Sequence, residues 1–232
     1  MKGWSRKKRF PLLISITAAV VWLLPVVGPF AAPARASVIT TGDVDPGGAG
    51  SQPDPWAVGD TLKVGNSGNG TLNVAAGGVV SNHHGYLGFS SGSTGEATVT
   101  GSDSQWNNSG VLSVGRSGDG TLNVEAGGEV SSSSGEIGKY SGSTGLATVT
   151  GADSQWNNSN LLYVGDYGSG TLNVAAGGLV TSPFGTLGRY SGSTGIATVT
   201  GAGSKWNNSS NLRVGYEGTG TFNVESGGGG SN

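Results

Sequence analysis

Few residues in this chain have the type and spacing that chemistry needs. His83 and His84 are its two histidines, and it has no cysteine. Neighbours in a strand point to opposite faces, so this pair cannot close on one metal ion. No second ligand pair exists to complete a zinc set. With histidine only at 83 and 84, a Ser–His–Asp arrangement has no base elsewhere in the chain. Asp119, Glu125, Glu129 and Glu136 are the carboxylates that could be paired for glycoside hydrolysis. They fall in near-identical repeats without clustering, as solvated acidic faces do. The turns GNSGNG, GRSGDG, GDYGSG and GYEGTG resemble the glycine-rich calcium nonapeptide. Calcium needs a carboxylate at one fixed place in each turn. That place reads Asn69, Asp119, Ser169 and Thr219, so the acid does not recur. The expectation is therefore no catalytic residue, no metal site and no cofactor.

Three tryptophans are the remaining candidates for ligand contact. Trp106, Trp156 and Trp206 each open a WNNS segment, 50 residues apart. As an outward strip they would stack on sugar rings. As corner residues they would pack on neighbouring coils. Both readings stand at this point.

The elements that must position these residues are repeats. GTLNV recurs at Gly70, Gly120 and Gly170, with GTFNV at Gly220. SGSTG-x-ATVTG recurs at Ser91, Ser141 and Ser191. Each 50-residue unit splits again, and Val74, Val99, Val124, Val149, Val174, Val199 and Val224 stand at equal steps of 25. TLNV and ATVT alternate apolar and polar residues, as half-buried strands do. Three strand-like pieces, LxV, TLNV and GxV, occupy each half-repeat between glycine turns. Three strands and three turns make a triangular coil. The predicted fold is all-β: a right-handed parallel β-helix, or solenoid, of about 25-residue coils. Val74 should stack on Val99, and Leu72 should alternate with Ala97. Asn73 and Thr98 should face outward, as should the column of Lys63, Ser113, Tyr163 and Arg213. Ser81–Gly85 is the segment that varies most between repeats: SNHHG, SSSSG, TSPFG.

The N-terminus reads as an address. Met1–Phe10 is strongly basic, Pro11–Phe30 is almost wholly apolar, and Ala34 and Ala36 form an A-x-A site before Ser37. That is the layout of a secretory signal peptide over residues 1–36. Its apolar run approaches spanning length, but Pro25, Pro29 and the A-x-A ending favour cleavage over an uncleaved anchor. Residues 37–60 are rich in Pro, Gly and Asp and read as an irregular leader or N-terminal cap. Residues 61–232 form the repeat domain, its last unit incomplete. Six of the 12 cations lie in the first 36 residues and all 14 acids lie after them, so the remainder has a formal charge of −8. Such a surface is a poor partner for nucleic acid and is repelled by anionic membranes.

The repeat text VGxxGxGTLNVxxGGxV, followed by GSTGxATVTGxxSxWNNSxxLxVG, covers about residues 62–226. It resembles the tandem repeat shared by type V secretion autotransporter passengers and PEP-CTERM surface proteins. The resemblance implies a β-helical passenger at the cell surface or outer membrane, structural or adhesive, with no general active site. Autotransporters end in a translocator barrel, and PEP-CTERM proteins in a short apolar helix followed by basic residues. The residues after Val224 read ESGGGGSN, with Gly230 where Val80, Val130 and Val180 stand in earlier repeats. The expectation is a fragment or truncated reading frame whose outer-membrane association needs a C-terminal anchor or barrel that is missing here. Expected partners are surface glycans or proteins of a host or neighbouring cell. The alternatives to a passive rod are a glycan-binding module using the tryptophans and a polysaccharide-degrading β-helix enzyme.

Overall fold

The computed structural model describes residues 37–231, and the signal peptide expected over residues 1–36 lies outside the described residues. Among the described residues there are 23 strands and no helix. The strands coil into a parallel β-solenoid of seven turns with three faces. Seven-residue strands make the first face: Asn69–Ala75, Thr94–Thr100, Asp119–Glu125, Thr144–Thr150, Ser169–Ala175, Thr194–Thr200 and Thr219–Glu225. Short strands of the type Gln105–Asn108 and Glu129–Ser132 make the second. Strands of the type Val111–Val114 and Ser134–Ile137 make the third. Trp56–Val64 and Val79–Leu87 run unbroken across the second and third faces. At about 4.8 Å per coil the stack is about 30 Å long.

The first face is in perfect register. Val74 pairs with Val99, Val99 with Val124, and the column continues to Val224. Leu72, Ala97, Leu122 and Ala147 form the second inward column. From Val74 to Val199 the valines are 0% exposed, and each contributes roughly 1.5–3 kcal/mol of burial. Outward neighbours such as Asn123 and Thr148 pair alongside.

The third face keeps a different step. Leu87 pairs with Val114 and Val114 with Ile137, intervals of 27 and 23 residues. The coils therefore alternate between two kinds, and this is why the sequence repeats fully only after 50. Val80, Trp106, Val130, Trp156, Val180 and Trp206 form one inward column on the second face. Gly85, Leu112, Gly135, Leu162 and Gly185 form one on the third. Coils with a large indole carry Ala on the first face. Coils with Leu on the first face carry Val and Gly elsewhere. Each coil thus fills the same cross-section with a different distribution of volume, which close packing requires. The turns after the third face need glycine at one place. Gly115 has φ +73, and a β-carbon there would stand 2.2 Å from the carbonyl oxygen of Thr144.

Residues 37–55 close the N-terminal edge. Ser37–Gly42 pairs antiparallel with Asn69–Ala75, and Val44 pairs antiparallel with Val64. Val38 and Val44 are buried beneath this cover. The parallel coils begin at Trp56, so they take in the last five residues of the stretch read as leader or cap. At the last coil, Phe222 takes the first-face position held elsewhere by Leu or Ala. Its ring meets Trp206 edge-on at 5.7 Å, and Gly230 lies beneath it, where a β-carbon would stand 3.1 Å from the ring.

Candidate functional site

The tryptophan strip is inside. Trp106, Trp156 and Trp206 are each 0% exposed, so no ring face is open to a sugar. Their candidacy as ligand contacts is corrected accordingly. The cause is the small residue in the adjoining coil, since Gly85, Gly135 and Gly185 leave room for the indoles within the core. Each indole N–H is satisfied by a buried polar column. Trp156 Nε1 donates to Ser132 Oγ at 3.2 Å, and Ser132 Oγ donates to Asn158 Oδ1 at 2.8 Å. Asn158 Nδ2 then donates to the carbonyl of Thr181 at 3.3 Å. Trp206, Ser182 and Asn208 repeat the arrangement. In the first repeat Asn82 replaces the serine. It accepts from Trp106 Nε1 at 2.7 Å and donates to Asn108 at 2.6 Å. Buried polar groups must be paired, and here the pairing links coils through their interior.

The other candidates are not brought together. His83 Nδ1 meets Ser109 Oγ at 2.9 Å, while His84 Nδ1 accepts the backbone N–H of Val111 at 3.1 Å. Burial, and then the neighbouring His83, lowers the His84 pKa. Asp119 and Glu125 end a first-face strand, Glu129 starts a second-face strand, and Glu136 lies on the third face. Glu129 accepts from Asn157 Nδ2, and Glu136 accepts from Ser113 Oγ at 2.6 Å and pairs with Lys139 at 2.7 Å. Asn69, Asp119, Ser169 and Thr219 stand in one column with Thr94, Thr144 and Thr194 between them.

A concentration of chemistry lies along the third face and its following turn. The outward column there runs Lys63, Tyr86, Ser113, Glu136, Tyr163, Thr186 and Arg213. Ser113 belongs to it but is fully covered, its hydroxyl held by Glu136. The turn adds Phe89, Arg116, Lys139, Tyr140, Asp166, Tyr167, Arg189, Tyr190, Tyr216 and Glu217. All six tyrosines of the chain stand on this one edge, with five of the six cations that follow residue 36.

Cations and rings interleave along the edge. Lys63 lies 4.9 Å above Phe89, and Arg116 lies 4.3 Å from the same ring and 5.2 Å from Tyr140. Arg189 sits 4.1 Å from Tyr163 and 4.5 Å from Tyr190, whose ring stacks on Tyr167 at 4.1 Å. Each such cation–π contact contributes about 0.5–1 kcal/mol at an exposed site. Asp166 holds Arg189 at 3.0 Å. Burial raises the Asp166 carboxyl above its ordinary range, and the Arg189 bond opposes that shift. Burial likewise raises the Tyr163 pKa. At the C-terminal end of the edge is an open cleft of about 400 Å³, with Tyr163, Phe184, Arg189, Tyr190, Arg213 and Tyr216 among its walls.

Sequence reasoning placed Lys63, Tyr163 and Arg213 in an outward column but missed the aromatic turn beside them. No family model, curated protein or solved structure matches the chain.

Proposed function

We propose that this chain is an exported, non-enzymatic surface rod with a structural or adhesive role. The observation that supports this most directly is the unbroken interior column from Val74 to Val199, which makes six coils one stiff body. Such a body holds a long side wall at a fixed distance from whatever anchors it. Repeat stacks of this kind draw their stability from neighbour-to-neighbour interfaces rather than from one central cleft. The basic, apolar and A-x-A sequence of Met1–Ala36 supports export. The repeat resembles those of autotransporter passengers and PEP-CTERM surface proteins, which supports display at the cell surface or outer membrane. Surface glycans and proteins of neighbouring cells are the partners this reading offers.

The test is expression of the full chain in a Gram-negative host, followed by fractionation and N-terminal sequencing. The reading expects a mature chain beginning at Ser37 outside the cytoplasm. Uncleaved protein retained in the cytosol would overturn it.

A further inference from the structure

We infer that Tyr167 and Tyr190 form an oxidative cross-linking site, where a one-electron oxidant joins the two rings by a carbon–carbon bond and clamps adjacent coils. This goes beyond the surface-rod reading and does not rest on it.

An oxidant that meets this body finds few targets. Sulfur side chains are the usual first ones. The chain has no cysteine, and its one methionine is Met1. Trp106, Trp156 and Trp206 are 0% exposed, and Trp56 is buried in the same core. Phenols are the remaining readily oxidised side chains among the described residues. All six stand on one edge, so one-electron oxidation is directed there.

Within that edge one pair of phenol rings is stacked among the described residues. Tyr167 and Tyr190 lie with centroids 4.1 Å apart and planes 16° from parallel. A hydrogen bond with the Tyr190 side chain raises the Tyr167 phenol above its ordinary pKa. The two hydroxyls therefore lie at the same end of the stack. The ring carbons ortho to them, where an oxidised phenol carries much of its unpaired electron, face each other.

The backbone fixes this register. The Arg189 N–H donates to the carbonyl of Gly165 at 2.9 Å, and the Tyr190 N–H to that of Asp166 at 3.1 Å. The Arg189 side chain bridges the same two turns, pairing with Asp166 at 3.0 Å and lying 4.5 Å from the Tyr190 ring. These turns lead into the strands Ser169–Ala175 and Thr194–Thr200, so neither belongs to the last coil. Tyr167 is 44% exposed, so an oxidant reaches it and its proton leaves to water.

The step balances with hydrogen peroxide as the oxidant, delivered through a haem peroxidase. Each phenol gives up one electron and one proton. The two radicals join at ortho carbons, and the hydrogens on those carbons shift to the oxygens, which restores both phenols. The electrons and protons released reduce one peroxide to two waters. The new bond ties together residues 23 positions apart, and a cross-link of this kind restricts the unfolded chain. A chain without cysteine thereby gains the covalent restraint that exported folds ordinarily take from disulfides.

The test treats the full chain, dilute, with hydrogen peroxide and a haem peroxidase. The product should stay monomeric on a denaturing gel, show the blue fluorescence of a biphenol, and weigh two hydrogens less than the parent. Trypsin cuts after Arg189 and so separates Tyr167 from Tyr190. Their peptides should remain joined, and fragmentation should place the bond at these two residues. The urea midpoint should rise above that of the untreated chain. Tyr167→Phe keeps an aromatic ring in the stack and should lose both the joined product and the rise. Tyr163→Phe should lose neither. Joining through other tyrosines, dimers in place of the internal product, or an unchanged urea midpoint would each overturn the inference. All are read on purified protein, so the inference stands or fails separately from export.

Discussion

A β-carbon at Gly135 would stand 2.8 Å from Cζ2 of Trp156, so this indole occupies the space that any side chain at residue 135 would need. The same β-carbon would meet Cδ1 of Leu162 at 2.7 Å. Both neighbours belong to the following coil and are 0% exposed. Gly135 does not adopt a left-handed conformation, so the demand for glycine here is steric. Gly135→Ala should destabilise the fold by about 1–3 kcal/mol through overpacking. Urea unfolding would check this, and an unchanged midpoint would mean the indole has room to move.

The polar column inside the stack makes a sharper distinction. Ser132 accepts from Trp156 and donates to Asn158. Ser132→Ala leaves both without their partner, at a cost of about 1–3 kcal/mol. Ser132→Asn installs the residue that already performs this task at Asn82. It should keep most of the parent stability. Equal loss in the two variants would show that volume, not pairing, governs the position.

Acid should act on two carboxylates with opposite sign. Asp43 accepts the backbone N–H groups of Ser67 at 2.6 Å and Gly68 at 2.7 Å, and these bonds lower its pKa below the ordinary 3.8. Its stabilising contribution is complete above its unfolded value and is lost as pH falls through the lowered folded value. Asp166 has a raised folded pKa from burial. It disfavours the fold at pH above that raised value, and the penalty is relieved as pH falls through it. Asp43→Asn should therefore flatten the loss of stability at acid pH, and Asp166→Asn should steepen it. Urea midpoints between about pH 2 and pH 6 would report both slopes. Slopes that do not differ between the variants would contradict the assignment.

Much of this architecture was legible because it repeats. The valines at steps of 25 and the alternation of Leu72 with Ala97 name the first-face columns directly. The three strand pieces per coil were readable for the same reason. The direction of the tryptophans was not. Trp106 and Val80 share a column though 26 residues separate them, and the compensating glycine, Gly85, lies on the third face. Volume exchanged between faces leaves no periodic trace in a single chain. The tyrosine edge was hidden by the opposite cause. Its turn positions read Phe89, Arg116, Lys139, Asp166, Arg189 and Tyr216, a different residue type in nearly every coil. They form one surface only because the glycine before each of them stacks on its equivalents, at alternating intervals of 27 and 23 residues, as between Gly88, Gly115 and Gly138. A reading at fixed steps of 25 passes them by.

The central claim is that successive 25-residue units stack in parallel, one strand spacing apart. The chain has no cysteine, so paired nitroxide labels can be introduced without background. Labels on outward Asn73 with Asn173, Thr198 or Asn223 span four, five and six coils. Electron–electron distance measurements should give about 19, 24 and 29 Å, rising by about one strand spacing each time. Distances that fall back, or that do not grow by equal increments, would contradict a parallel stack.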